Sequence, residues 1–268
     1  MGGKHAKMDP VGGLAKRLAP IIVLPALTAG IVLSVRAFAA NPAPANPPAA
    51  PGQTSQGPVS SSGCTQQNSL IGTVAHHRVA VKAAPSSQAK TVATFRRHNV
   101  QGNPQVFLLV GQETADGHSW YRALLPVRPN GTTGFIQSWE LKLSQTPYHL
   151  SVNKERRRLT LWSRCQKVRT YPVGIGTKFT PTPVGTFYLA SLLKPPTNHS
   201  VYGVYAYGLS GYSAVIHNWR WGGVIGLHGT DDPSSVGHFT SHGCIRMYNW
   251  DITKLVRILP LGTPITIS

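Results

Sequence analysis

Apolar positions fall into three regimes along the chain. Residues 18–35 (LAPIIVLPALTAGIVLSV) form one uncharged run, and residues 41–69 carry neither charge nor aromatic side chain. Beyond Leu70 the apolar residues come in short β-type runs at 78–82, 106–110, 120–127 and 134–136. Ala84-Pro85-Ser86-Ser87, Asp116-Gly117 and Pro129-Asn130-Gly131 punctuate them. Closely spaced strands with Gly, Asn and Pro turns predict a small β barrel, with Trp120, Tyr121, Phe135 and Trp139 in its core or rim. From Tyr148 onward, alternation on both sides of Ser163-Arg164 predicts a hairpin. Gly174, Gly176, Pro181, Pro183 and Gly185 then interrupt the chain before a strand at 187–192. Helical signal is confined to 251–258, where Asp251 is placed to cap the N-terminus. The expected fold class is mainly β: a small barrel, then a β-rich domain with one or two short helices.

Lys4, Lys7, Lys16 and Arg17 precede the long apolar run and Ala37-Phe38-Ala39 follows it. A basic start, an apolar centre and a small-x-small end are the parts of a secretory signal, so residues 1–40 read as a signal peptide or signal anchor. Pro20 and Pro25 favour export over a permanent membrane helix, and a buried soluble helix fits poorly because no polar face interrupts the run. Residues 41–69, dense in Pro, Ala and Ser, cannot bury enough surface to order themselves and read as a tether. The organisation expected is therefore 1–40, 41–69, a barrel at 70–146 and a second domain at 147–268.

Charge adds a partner class. With 26 Lys+Arg against 8 Asp+Glu the formal charge is +18, which concentrates polyanions such as nucleic acid, anionic lipid or an acidic cell wall. The densest basic cluster, residues 154–158, is short and no nucleic-acid motif accompanies it, so nucleic acid is not an expected partner.

Candidate chemistry is concentrated in GVIGLHGTDDPSSVGHFTSHGCIRM, residues 223–247. Cys244 follows His242 and Gly243, and His228 lies sixteen positions upstream at the end of an apolar run. A thiol near its free pKa is only slightly ionised at neutral pH, so a nucleophilic cysteine needs an imidazole or a positive charge nearby, which His228 and Arg246 could supply. Consecutive N–H groups at Gly243 and Cys244 could stabilise an oxyanion. Asp231 and Asp232 are near enough in sequence to orient His228. Zinc held by His228, His242 and Cys244 is a rival reading, disfavoured because no metal-ligand motif of familiar spacing is present; no metal or cofactor is expected.

Two resemblances give these residues a context. VAVKAAPSSQAKTV, ADGHSWYRALL and NGTTGFIQSWEL resemble the bacterial SH3-like domain, which implies wall or peptide binding or positioning of the neighbouring domain. His228-Gly229-Thr230 with Ser241-His242-Gly243-Cys244-Ile245-Arg246-Met247 resembles the active-site signature of the L,D-transpeptidase family. Val173-Gly174-Ile175-Gly176, the 180–187 segment TPTPVGTF and Leu261-Gly262-Thr263-Pro264-Ile265 support it.

That resemblance implies an exported enzyme acting on peptidoglycan stem peptides, with a donor tetrapeptide and an amine acceptor. Cys244 would be the nucleophile and His228 the base, oriented by the Gly229 carbonyl. His242 would line the groove or lock its loop. Ser241 and Arg246 would brace that loop or contact a carboxylate, although Arg246 could equally pair with Asp251. Arg246 also stands where the family often has Asn. The aromatic stretch from Tyr202 to Trp221 resembles a substrate flap, with Tyr205, Tyr207, Trp219 and Trp221 as its candidates and His217 structural. A reduced Cys244 leaves Cys64 and Cys165 as a possible disulfide in an exported chain. Contact with the membrane is expected only through an uncleaved N-terminal segment. Hydrolysis in place of transfer, or a noncatalytic wall-binding protein, are the alternatives.

Overall fold

The structure, a computed structural model, describes residues 68–197 and 199–268. The expected signal segment, most of the tether and Cys64 lie outside the described residues. Among those described, no helix is long and apolar enough to cross a membrane.

The chain first builds a seven-stranded antiparallel sheet from β1 (Ser69–Val74), β2 (Arg78–Lys82), β3 (Thr91–Arg96), β4 (Val106–Ala115), β5 (His118–Leu124), β6 (Thr133–Gln137) and β7 (Leu141–Thr146). Their order is β3-β2-β6-β5-β4-β1-β7. Strand β4 shows how sequence becomes architecture. Phe107 and Leu109 pack with Val79, Val81, Tyr121 and Ile136 on one face, while Val106 and Leu108 pack with Ile71, Leu124 and Tyr188 on the other. A strand buried on both faces reads as an unbroken apolar run. Its outer half is largely exposed, so the 106–110 expectation stops short of its end at Ala115. Asp116 (φ 52°) and Gly117 (φ 73°) turn the chain into β5. Strand β5 ends at Leu124 rather than 127, and Leu125 then bonds back to Thr132. Trp120 and Tyr121 are buried, whereas Trp139 is exposed.

Pro147 leads into an eight-stranded sheet. Its members in chain order are β8 (Tyr148–Asn153), β9 (Arg158–Ser163) and β10 (Gln166–Pro172), then, after the short β11 (Ile175–Gly176), β12 (Gly185–Leu193), β13 (Ala206–Tyr212) and β14 (Val224–His228). After β15 (Phe239–Ser241) come β16 (Ile245–Arg246), α1 (Asn249–Val256) and β17 (Pro264–Ile267). The strand order is β10-β9-β8-β17-β12-β13-β14-β16, while β11 and β15 pair with each other. The predicted hairpin is present as β9 and β10, turned one residue later than expected through Arg164 and Cys165, both at positive φ. Leu150, Leu161, Leu189, Leu227, Ile245 and Ile252 share the main core. The two sheets meet through Tyr188 of β12, fully buried against Ile71, Val106, Leu108 and Leu124 of the first sheet.

The helix corrects one expectation. It starts at Asn249 with Tyr248 as N-cap, so Asp251 lies in the first turn and pairs with Lys254 at 3.3 Å. Asn249 is drawn into the helix start because its carboxamide bonds to Val204 and Thr230, as described below.

Candidate active site

Two neighbouring parallel strands bring the thiol and the imidazole together. Cys244 immediately precedes β16, and the register Leu227↔Ile245 and His228↔Arg246 sets it beside Gly226 of β14. The Gly226 N–H donates to Cys244 Sγ at 3.3 Å. A Cβ on Gly226 would stand 3.6 Å from that sulfur and 3.2 Å from His228 Cδ2, so both groups face the same bare stretch of β14. His228 is buried, with Nδ1 2.5 Å from Gly229 O and the Tyr202 ring edge-on at 5.1 Å. A carbonyl only accepts, so Nδ1 carries the proton and Nε2 holds the lone pair of the neutral ring.

Burial dominates both titrations. It pulls His228 down to about 4, against the opposing Gly229 hydrogen bond, while the Arg246 charge pulls the same way and Asp231 against it. Burial also pushes the Cys244 thiol up, against the Gly226 N–H and the Arg246 charge, which favour the thiolate. At neutral pH the resting pair is therefore uncharged: a thiol beside a free base.

The loop before Cys244 is internally braced. Ser241 Oγ donates to Cys244 O at 2.6 Å and accepts from Gly243 N at 3.1 Å, while Thr182 Oγ1 donates to Gly243 O at 2.9 Å. Gly243 sits at φ 111°, where glycine is favoured, and its N–H, expected to face an oxyanion, is occupied by Ser241. Arg246 exchanges backbone bonds with Gly174, and its Nε is buried without a hydrogen-bond partner among the described residues. The pair with Asp251 does not form, because Asp251 is bonded to Lys254.

Asp232 does not orient His228. Its carboxylate accepts from Ser234 N and Oγ and caps the turn Pro233–Ser235. The residue that secures the His228 segment instead is Asn249, which sequence reasoning missed. Its Oδ1 accepts from Thr230 N at 3.0 Å and Val204 N at 3.3 Å, and its Nδ2 donates to Thr230 O at 3.0 Å. A side chain on Gly229 would meet Asn249 Oδ1 at 2.1 Å, so glycine after His228 is a packing requirement. Gly229→Ala should accordingly destabilise the protein by about 1–3 kcal/mol, checked by chemical denaturation.

A cleft of about 300 Å³ opens over Cys244, lined by Tyr202, Tyr207, Trp219, Trp221 and Lys194 among others. The four expected flap aromatics separate here. Tyr207 belongs to β13 and the core, with its hydroxyl donating to Leu259 O, and Tyr205 is partly buried against that core. Trp219 and Trp221 instead lie half-exposed on a hood, residues 213–223, whose ends meet where Ser213 N donates to Gly223 O. The ring of exposed His242 lies 5.1 Å from that of Trp219, tilted at 55°, and His217 is exposed on the hood. Among the described residues, no three His, Cys, Asp or Glu side chains are grouped to hold a metal.

The hood is held from the first sheet. Arg128 donates from Nη1 to Ser213 O at 2.7 Å and from Nη2 to Ile216 O at 3.1 Å and Gly222 O at 2.9 Å. Its guanidinium also lies 4.9 Å from the centre of the Tyr212 ring. Asn130 exchanges two bonds with the Tyr212 backbone, and Tyr212 Oη donates to Pro126 O. On the opposite edge, Cys165 is disulfide-bonded.

Residues 147–267 match the YkuD family, described as the L,D-transpeptidase catalytic domain. A Bacillus licheniformis protein named as an L,D-transpeptidase, YkuD, is 32% identical over 161 residues, covering 58% of this chain and 90% of that protein. Its namesake in Bacillus subtilis is 36% identical over 122 residues, 46% of this chain and 66% of its own length. A solved L,D-transpeptidase structure from Mycobacterium tuberculosis aligns over 74% of this chain and 97% of its own, at 13% identity and a TM-score of 0.40.

Proposed function

This chain belongs to the L,D-transpeptidase family of peptidoglycan-acting enzymes, and from that premise we propose that it crosslinks stem peptides through a Cys244 acyl-enzyme. The observation that carries the mechanism is the placement of Cys244 Sγ and the His228 ring over Gly226, with His228 Nδ1 fixed on Gly229 O.

On this reading His228 Nε2 takes the Cys244 proton as sulfur attacks the carbonyl between an L-centred diamino acid and D-alanine. Separating charge within a buried, uncharged pair is uphill, and because the Arg246 charge favours the thiolate but opposes protonation of His228, the oxyanion donors must offset that cost. With the Gly243 N–H committed to Ser241, the Cys244 N–H is the donor we assign. Protonated His228 then gives its proton to the leaving D-alanine amine, and the thioester remains. A side-chain amine of a second stem attacks the thioester, loses a proton to Nε2 and releases the thiolate. Water in its place would give a carboxypeptidase. Trp219 and Trp221 on the hood reduce water access and so favour the amine.

The same reading makes residues 1–40 an export signal and 41–69 a tether, placing the enzyme outside the cytoplasm at the wall. The 70–146 sheet then serves as an SH3-like domain, and Cys64 as the disulfide partner of Cys165. Incubation with a disaccharide tetrapeptide should release D-alanine and yield crosslinked dimers, both lost in Cys244→Ala. Release without dimers, with amine acceptor present, would make it a carboxypeptidase.

A further inference from the structure

Three concavities that share lining residues lie side by side across both sheets. The cleft at Cys244 shares Gln101, Ser191, Trp221 and Val224 with a second cavity of about 510 Å³. That cavity shares Arg96 and His98 with a third of about 420 Å³, which is completed by His77 and Arg97. Among the described residues, no Asp or Glu lines any of the three. The series therefore begins at the thiol and ends in a cluster of cationic and imidazole side chains.

The segment that carries this cluster is held against the catalytic sheet. Asn99 Oδ1 accepts from Gln101 N at 3.0 Å and Asn103 N at 3.1 Å, folding residues 97–104 into a closed loop that turns at Gly102 (φ 80°). Asn99 Nδ2 then donates to Ala190 O at 3.2 Å, and Asn103 Oδ1 accepts from Leu192 N at 2.5 Å. The Ala190 contact falls where the register of β12 with β13 shifts, and the Leu192 contact lies just beyond it. Two asparagines of the connection between β3 and β4 thus fasten Gln101 into the wall of the catalytic cleft and leave Arg96, Arg97 and His98 beyond it.

We propose that the end of β3 and this loop together form a subsite for the carboxylates of an acidic peptide whose other end is bound at Cys244. The proposal rests on the stem-peptide reading above and adds a recognition element from outside the catalytic domain. The lining shared with the thiol cleft favours a peptide already bound at Cys244 over a separate anionic wall polymer. Paired to a carboxylate, exposed Arg96 would contribute modestly and in a salt-dependent way.

The test compares full-chain wild type with Arg96→Glu on a stem tetrapeptide bearing free carboxylates and on the same peptide with those carboxylates amidated. At low salt Arg96→Glu should raise KM for the free acid about fivefold, leave kcat unchanged, and leave the amidated peptide unaffected. Arg96→Lys should restore most of the loss. Arg97→Glu provides a second variant if Arg96→Glu is poorly folded, and the iodoacetamide labelling rate of Cys244 reports an intact cleft in each. Equal effects on both peptides, no effect on either, or competition by polyglycerol phosphate that matches the acidic peptide would overturn the proposal. Equilibrium binding of both peptides to Cys244→Ala reads the subsite even if wild type shows no turnover, so the two readings fail separately.

Discussion

Replacing His228 with glutamine should slow turnover about a thousandfold while the cleft stays intact, because the change removes the imidazole that faces Cys244 across Gly226. Steady-state rates on the tetrapeptide, with circular dichroism to confirm folding, measure this. The same substitution changes the pH dependence of stability. The folded-state pKa of His228 is about 4, below an unfolded value near 6.5, so the unfolded chain binds the extra proton first. This contribution to stability is complete above about pH 6.5 and is lost as pH falls toward 4, by about 3 kcal/mol in total. Thermal melts between those limits should show the slope in wild type and a shallower one in His228→Gln. Catalysis should likewise retain its free base well below neutrality, with the acidic limb of kcat/KM near the folded value rather than near 6.5.

The second large effect belongs to Arg128. Its single guanidinium spans carbonyls at Ser213, Ile216 and Gly222, which are the ends and the turn of the hood carrying Trp219 and Trp221. Arg128→Ala should cost about 1–2 kcal/mol of stability, a modest figure because the side chain is exposed. Its larger consequence is functional: a released hood admits water, so hydrolysis should gain on amine transfer and iodoacetamide should label Cys244 faster. Arg128→Lys should rescue little, since one ammonium cannot reproduce a planar fork reaching three acceptors. The hydrolysis-to-transfer ratio, read by mass spectrometry of products, separates this from simple destabilisation.

Much of this architecture is legible in the residues. Alternation outlines β2 and β9, whose buried positions alternate with more exposed ones, and turn chemistry marks the start of β10 and of β12. The pattern fades where that contrast fades. The outer half of β4 is exposed, and β3 buries none of its side chains fully, so neither has an apolar period to detect. The helix start is hidden for a different reason: Asn249 is held there by Thr230 and Val204, partners distant in sequence. The site divides in the same way. His228, Gly229, Ser241 and Cys244 are visible as a compact motif, and β14 beside β16 brings its two halves together. Asn249 and Arg128 carry no local signal, since their acceptors lie on other elements. The occupation of the Gly243 N–H by Ser241 likewise depends on a loop conformation that spacing does not encode.

The central claim is that Cys244 carries the peptide during transfer, and intact-protein mass spectrometry tests it most directly. With donor tetrapeptide and no amine acceptor, the full chain should gain the mass of the acyl fragment left after D-alanine departs. Peptide mapping should place that adduct on Cys244, and an added amine should discharge it. Release of D-alanine without any adduct on Cys244, or an equal adduct in Cys244→Ala, would contradict the account.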